Sequence, residues 1–356
     1  MSINSVPIIL TRNCNFNCEY CFGEHDKLDM TEETLIDVLE WMQKQADGKI
    51  KGRFFGGEPT IKWGLIQKAV EYVNKNNLDI YFTITSNAYH LNEEKIDYLA
   101  DNNIKMVVSM DGVKEAQNMH RRTAGGKDTF EKVDKNLRYA IEKGVTTSVR
   151  LTYTNKTLKY LYENFKYYNF ELGVNTQFTP VNDTLEDFTE EELKTYNEEF
   201  EKIHNLMRDS IIANNAARFH TYKRSFSFIS HNRKTNHFCS AGNKYLAVDY
   251  NGDLYPCHRF IYYPEWVIGN IYDGFDEEKR KIFTEYDINE RRKACANCEV
   301  GFCGGNCYAS NYSKTGDIYK SSESLCKLHK DEWARAKRMH EELKGLIQFK
   351  KIYGRG

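Results

Sequence analysis

From its start to about residue 215, the chain alternates two patterns of apolar positions. Short apolar runs of strand length are VPIILT (6–11), KGRFF (51–55), DIYFTITS (79–86), IKMVVSMDG (104–112), TTSVRLTY (146–153) and NTQFTPV (175–181). Between them, apolar residues recur at three- and four-residue intervals, the signature of helices that bury one face. These helical stretches are 31–45 (capped by Thr31), 65–77, 92–103, 129–144 (stopped by Gly144), 158–170 and 189–215. Six strands, each followed by a helix or by a loop leading to one, predict right-handed parallel crossovers and a partial α/β barrel over residues 1–215. In such sheets chemistry gathers at the C-terminal ends of the strands. After about residue 216 the period breaks down. Residues 216–236 read as a connector, 237–330 as a small Cys-rich domain with short elements only, and 331–356 as a C-terminal helix and tail. The last helical pattern runs over 328–349.

Charge and composition narrow the function classes. A net charge of −1 over 356 residues gives no global field for nucleic acid or an anionic membrane. No apolar run is long enough to span a bilayer, and MSINSVPIIL lacks the pattern of a signal peptide. The expected compartment is therefore a reducing cytoplasm. There the 10 cysteines point to metal or catalysis before disulfides.

Three cysteines, Cys14, Cys18 and Cys21, stand in TRNCNFNCEYCF directly after the first predicted strand. Three thiolates on one loop can hold three irons of a 4Fe–4S cube and leave the fourth iron open. The spacing alone also suits a zinc loop. Here aromatics Tyr20 and Phe22 flank the last cysteine, and GGEP ends the second predicted strand. With these motifs together, the chain resembles the radical SAM superfamily.

The resemblance implies that S-adenosylmethionine (SAM) binds the open iron and is cleaved to a 5′-deoxyadenosyl radical. It implies that Gly56 and Gly57 let backbone approach the methionine end, and that Glu58 accepts from its ammonium group. Ser86 and Asn87 in ITSNAYHL stand where the family binds ribose and carboxylate. Ser109 and Asp111 end the fourth strand. Arg121, in HRRTAGG, resembles a family arginine near the SAM carboxylate. Arg150 on the fifth strand takes the same role or belongs to a surface ion pair.

The C-terminal cysteines are Cys239, Cys257, Cys295-x2-Cys298-x4-Cys303-x3-Cys307 and Cys326. This pattern resembles the SPASM domain, which carries two auxiliary 4Fe–4S clusters. The expected fold is thus a partial (β/α)6 TIM-like barrel followed by a small Cys-rich SPASM iron–sulfur domain and a C-terminal helix. The spacing between Cys298 and Cys303 is one residue shorter than usual, which the glycines of GFCGGNC can absorb. The family's interleaved pattern gives Cys295, Cys298, Cys303 and Cys326 to the outer cluster. It gives Cys239, Cys257 and Cys307 to the inner one. Zinc remains the other reading of the paired C-x2-C units. The expected cofactors are three 4Fe–4S clusters and SAM. The inner cluster, with three cysteines, would keep an open iron, which in thioether-forming relatives accepts a substrate thiolate.

The expected function is maturation of a ribosomal, Cys-containing precursor peptide by thioether formation. Formylglycine formation, as in anaerobic sulfatase maturases, is the alternative, and carbon–carbon crosslinking is a third reading. His258 follows Cys257, where the sulfatase maturases place an aspartate base. It is either a proton acceptor or a hydrogen-bond partner of cluster sulfur. The expected partners are the peptide and an external one-electron reductant, flavodoxin or ferredoxin, under anaerobic conditions. Cys14 leaves no room ahead of it for the leader-binding domain of many peptide maturases. Recognition therefore falls to the barrel mouth, the 183–236 connection, the C-terminal helix or a separate leader-binding protein. Tyr222, Lys223, Arg224 and His231 are contact residues of that connection or, more simply, solvated side chains.

Overall fold

The chain lays down six strands in order: β1 (Ser5–Thr11), β2 (Ile50–Gly56), β3 (Ile80–Ser86), β4 (Lys105–Ser109), β5 (Thr146–Tyr153) and β6 (Thr176–Pro180). Two-residue strands β7 (Ala247–Val248) and β8 (Leu254–Tyr255) follow in the Cys-rich region. The structure is a computed structural model that describes residues 2–181, 188–213, 219–285, 292–347 and 349–350. All six predicted strands are present, within a few residues of the expected bounds.

The chain divides into two units. The first comprises Met1–Ser109, Asn118–Thr147 and Ser240–Tyr286. Here β1 to β4 pair in parallel, each with the next, and β1 also pairs with β7 in parallel at Ile8↔Val248. β7 and β8 then form an antiparallel pair. The first part of the Cys-rich segment thus adds strands to the β1 edge. Val6, Ile8, Ile9 and Leu10 are fully buried, as a parallel strand covered on both faces requires. Helices α1 (Glu32–Gln45) and α2 (Trp63–Asn76) cover the sheet, α1 capped by the Thr31 hydroxyl as expected. Helix α3 (Glu93–Asp101) is capped by Asn92. A short helix, α4 (Lys114–His120), precedes α5 (Phe130–Glu142) and was not predicted.

The second unit comprises Met110–Gln117, Ser148–Cys239 and Asp287–Gly356. β5 and β6 pair in parallel over Val149–Tyr153. The helix predicted over 158–170 changes pitch twice. It is 3-10 over Asn155–Tyr160, α over α6 (Leu161–Lys166) and π over Tyr167–Glu171. α7 (Glu190–Ile212) starts at a capping box of Thr189 and Glu192.

Two expectations need correction. Residues 216–236 are not a bare connector: α8 (His220–Ser230) lies there. Its Tyr222 and Phe226 are fully buried with Phe219, one helical face of aromatic rings. The last helix also begins earlier than 328. Short helices α9 (Glu277–Thr284), α10 (Lys293–Ala296) and α11 (Tyr308–Thr315) precede α12 (Glu323–Leu343). Ser322 caps α12 by accepting from the Leu325 amide, which puts Cys326 in its first turn.

Candidate functional site

The Cys14–Cys21 loop leaves β1 through an irregularity in its register with β2, between Ile9 and Thr11. The GGEP turn then docks beneath it. The Gly57 amide donates to the Thr11 carbonyl at 2.8 Å and the Glu58 amide to the Asn13 carbonyl at 2.9 Å. A Cβ on Gly57 would lie 2.2 Å from the Asn13 oxygen, and one on Gly56, at φ +143°, 2.1 Å from the Thr11 oxygen. Both glycines are therefore required by the cysteine loop's own backbone.

Glu58 is 1% exposed, and its carboxylate braces strand ends. Oε1 accepts from the Thr60 amide, the Thr60 hydroxyl and the Ser86 hydroxyl at 2.6–3.1 Å. Oε2 accepts from the Asn87 amide at 2.8 Å. Burial nevertheless raises its pKa, and these donors oppose the shift. Ser86 also accepts from the Ala88 amide. Its hydroxyl thus links Glu58 to the turn after β3. Asn87 donates to Asn15 at 2.9 Å and lies 4.0 Å from Cys14 Sγ, so it faces the cysteine loop. Ser109 ends β4 partly exposed.

Donors surround the three sulfurs. The Phe16 amide points at Cys14 Sγ at 3.4 Å, and the Gly23 amide at Cys21 Sγ at 3.4 Å. Arg121, 9% exposed, places Nη1 4.0 Å from Cys18 Sγ and stacks over Tyr20 at 5.5 Å. The Asn17 amide donates to the Arg122 carbonyl and the Ala124 amide to the Asn15 carbonyl, fixing the arginine beside the loop. Burial pushes the Cys14 thiol pKa up, so a thiolate there calls for compensating positive charge. Among the described residues no three His, Cys, Asp or Glu side chains converge on one ion, the geometry a mononuclear zinc site needs. Three loop thiols under aimed N–H donors fit an iron–sulfur cluster.

His258 belongs to the same unit. Its Nδ1 lies 2.7 Å from the Tyr245 hydroxyl, and its ring packs at 4.4 Å from Phe55 and 6.4 Å from Phe22. Arg12, two residues before Cys14, pairs with the fully buried Asp249 and donates to the Ile261 carbonyl at 2.6 Å. Sequence reasoning missed this clamp. No local signal joins residues so far apart in the chain.

The second unit holds the outer cysteine set. Cys295, Cys298, Cys303 and Cys326 line one cavity, and their mutual charges raise the Cys326 thiol pKa after burial does. Gly304, Gly305 and Asn306 have φ of +54°, +88° and +68°. Three successive positive φ values turn the chain sharply after Cys303. The Asn306 amide donates to Cys303 Sγ at 3.3 Å, and its side chain lies 3.9 Å from Cys326 Sγ. These two glycines lie in the Cys303–Cys307 interval, past the short Cys298–Cys303 spacing, which contains Gly301. A Cβ on Gly305 would lie 1.7 Å from Arg292 Nη1. These four thiols fit a closed cluster.

The inner set is divided. Cys257, 8% exposed, belongs to the first unit, whereas Cys239 and Cys307 belong to the second. Cys307 starts α11 and lines a smaller cavity with Tyr153, Phe238 and Glu332. Arg224 is not a solvated side chain, contrary to the simpler expectation. It donates to the Phe238 carbonyl at 2.6 Å and stacks at 5.1 Å on the Phe238 ring. Tyr222 is buried and His231 is exposed. Asp111 accepts from the Thr152 amide at 3.0 Å, so it ties the segment after β4 to β5. Arg150 is half-buried on β5.

The Radical SAM superfamily model matches residues 8–167, and the SPASM iron-sulfur cluster-binding domain model matches 239–299. The chain belongs to the radical SAM superfamily. It is an enzyme of the SPASM type, and those two domains imply SAM and iron–sulfur clusters as its cofactors. The radical SAM cyclopropyl synthase TigE of Paramaledivibacter caminithermalis is 25% identical over 92% of this chain and 72% of its own. The cysteine-type anaerobic sulfatase-maturating enzyme of Clostridium novyi is 26% identical over 83% of this chain and 85% of its own. The solved structure of the protein anSMEcpe, with AdoMet and the Cp18Cys peptide bound, matches with a TM-score of 0.77. It is 22% identical and covers 97% of this chain and 100% of its own. SuiB of Streptococcus suis, bound to its precursor peptide SuiA, matches at 0.65 with 16% identity, over 92% of this chain and 76% of its own. At these identities the likeness establishes the fold: a partial α/β barrel with a SPASM domain. No helix among the described residues is long and apolar enough to cross a membrane.

Proposed function

We propose that the enzyme matures a ribosomally made, Cys-containing peptide by joining cysteine sulfur to carbon as a thioether. Cys14, Cys18 and Cys21 would hold the SAM-binding cluster, Cys295, Cys298, Cys303 and Cys326 the outer one, and Cys239, Cys257 and Cys307 the inner one. With SAM and a reductant, the cluster held by Cys14, Cys18 and Cys21 would supply 5′-deoxyadenosyl radical chemistry, the removal of a hydrogen atom from substrate. The balance is one C–H and one S–H lost and one C–S bond gained. The hydrogen atom goes to the deoxyadenosyl group, the thiol proton to a base and one electron to an acceptor.

The observation that carries this reading is the setting of His258. It follows a cluster cysteine and packs against Phe22, the neighbour of Cys21, with Nδ1 on the Tyr245 hydroxyl. If Nδ1–H donates to Tyr245, Nε2 is the acceptor for the thiol proton, and the two aromatic faces fix the ring. Arg121 would orient an anionic group beside Cys18. Glu58 holds the strand ends rigid and keeps its second oxygen toward Asn87.

Formylglycine formation is the second reading. It is favoured by the sulfatase-maturating relatives, which match along most of their own length. Anaerobic co-expression with a Cys-containing peptide, followed by mass spectrometry, separates the two. A thioether keeps the sulfur, loses two hydrogens per link and blocks alkylation. Formylglycine loses the sulfur, and unmodified thiols would sink both readings. Changing His258→Gln should lower peptide modification while 5′-deoxyadenosine still forms.

A further inference from the structure

The cavity over the outer cysteines has a basic rim. Lys234, Arg292, Lys293, Lys320, Lys327 and Lys330 line it, against Glu299, Asp317 and Glu323. This reverses the balance of a chain whose net charge is −1. All of these residues belong to one unit.

Two of the cations are committed to the protein. Arg292, 3% exposed, donates to the Gly304 and Ile318 carbonyls. Lys234 Nζ donates to the Cys295 and Ala296 carbonyls at 3.1 and 2.7 Å. The other four, Lys293, Lys320, Lys327 and Lys330, are exposed and make no ion pair among the described residues. On the acidic side, Glu299 is already paired with Lys337 at 2.8 Å. Lys330 also acts on Glu299, and with Glu299 held by Lys337 the rim keeps an excess of positive charge. Their common neighbour is the half-buried set Cys295, Cys298 and Cys326, which lines the same cavity and is in part open to solvent.

We propose that this rim is the docking surface for an acidic electron-carrier protein. Complementary charge raises encounter rates and fixes orientation, and it does so most at low ionic strength. The exchange makes and breaks no bond: the reduced carrier loses one electron and the enzyme gains it. This proposal rests on the outer four cysteines holding a cluster.

The test uses the reconstituted holoenzyme and a reduced acidic ferredoxin as the probe. The variant combines Lys293→Glu, Lys320→Glu, Lys327→Glu and Lys330→Glu. Binding is read by titration at low and high salt. 5′-Deoxyadenosine formation is read with ferredoxin and, separately, with photoreduced 5-deazariboflavin, a small uncharged reductant. The expected result is ferredoxin binding weakened about tenfold or more, with the salt dependence largely lost. The ferredoxin-driven rate falls, while the deazaflavin-driven rate and the iron content stay unchanged. Unchanged ferredoxin binding overturns the proposal. So does a loss confined to peptide binding, which would make the rim a site for an acidic peptide. Equal loss with both reductants also overturns it, because the lysines would then support the cluster itself. A wild-type enzyme that makes no 5′-deoxyadenosine with deazaflavin would instead sink the proposed function, and the ferredoxin titration would still read the docking surface.

Discussion

The loop of Cys14, Cys18 and Cys21 and the set of Cys295, Cys298, Cys303 and Cys326 are built differently for related jobs. The first places its thiols within one short loop and rests it on strand ends through backbone contacts with Gly57 and Glu58. Arg121 adds one cation beside it. The second gathers thiols from one short helix, the segment after it, a turn and a long helix, and packs Cys298 and Cys303 against Val300, Phe302 and Trp333. Three ligands on a loop leave a coordination position for a substrate-like molecule; four ligands on separate elements close the site and tie those elements together. On the proposed function, the first loop would be the place for chemistry, and the second a staple that passes electrons.

The largest expected effects come from removing ligands. Cys14→Ala should abolish 5′-deoxyadenosine formation and lower the iron content by one cluster, with the fold retained. Cys295→Ala should lower the iron content as much but leave SAM cleavage measurable, while thermal unfolding of the second unit moves down. If both variants lose SAM cleavage equally, the division of labour is wrong.

Glycines offer a finer cut. Gly57→Ala would push against the Asn13 carbonyl, and Gly305→Ala, at φ +88°, against Arg292. Each should cost about 1–3 kcal/mol. Gly57→Ala should lose the SAM cluster selectively, and Gly305→Ala the outer one, as absorbance and EPR of the reconstituted variants would report.

Glu58→Gln keeps the shape but sets an amide NH2 among buried donors. Leaving such donors unsatisfied should cost about 1–3 kcal/mol. The KM for SAM should rise, with the outer cluster unaffected.

The smallest effect is one of pH, far from either cysteine set. His204 on α7 is 1% exposed, and burial, then the nearby Arg338 charge, lowers its pKa below 6.5. The unfolded chain then takes the proton first. His204 should cost stability as pH falls through about 6.5, and the loss should level off below the lowered folded value. His204→Leu should flatten that slope in urea melts at a series of pH values.

Much of the first unit was legible because its signals are local. Apolar runs, Thr31 as a cap and cysteines next to a strand end each need only neighbouring residues. Helix α8 was missed because His220, Thr221, Tyr222, Ser225 and Phe226 are weak helix formers, although Phe219, Tyr222 and Phe226 keep a helical interval. β7 was not legible, since two residues carry no periodicity and its partner Ile8 lies at the other end of the chain. The cysteine motifs revealed chemistry but not support. That Gly56 and Gly57 serve the loop backbone, that Ser86 serves Glu58, and that Arg12 reaches Asp249 are facts of tertiary contact.

One measurement bears most directly on the account. Reconstituted wild type and Cys14→Ala are incubated anaerobically with SAM, deazaflavin and light, and 5′-deoxyadenosine is quantified by mass spectrometry. The wild type should form it and the variant should fall to background. Equal yields from both, or none from a wild type whose iron and sulfide are fully loaded, would contradict the claim that the Cys14–Cys21 loop holds the site of SAM cleavage.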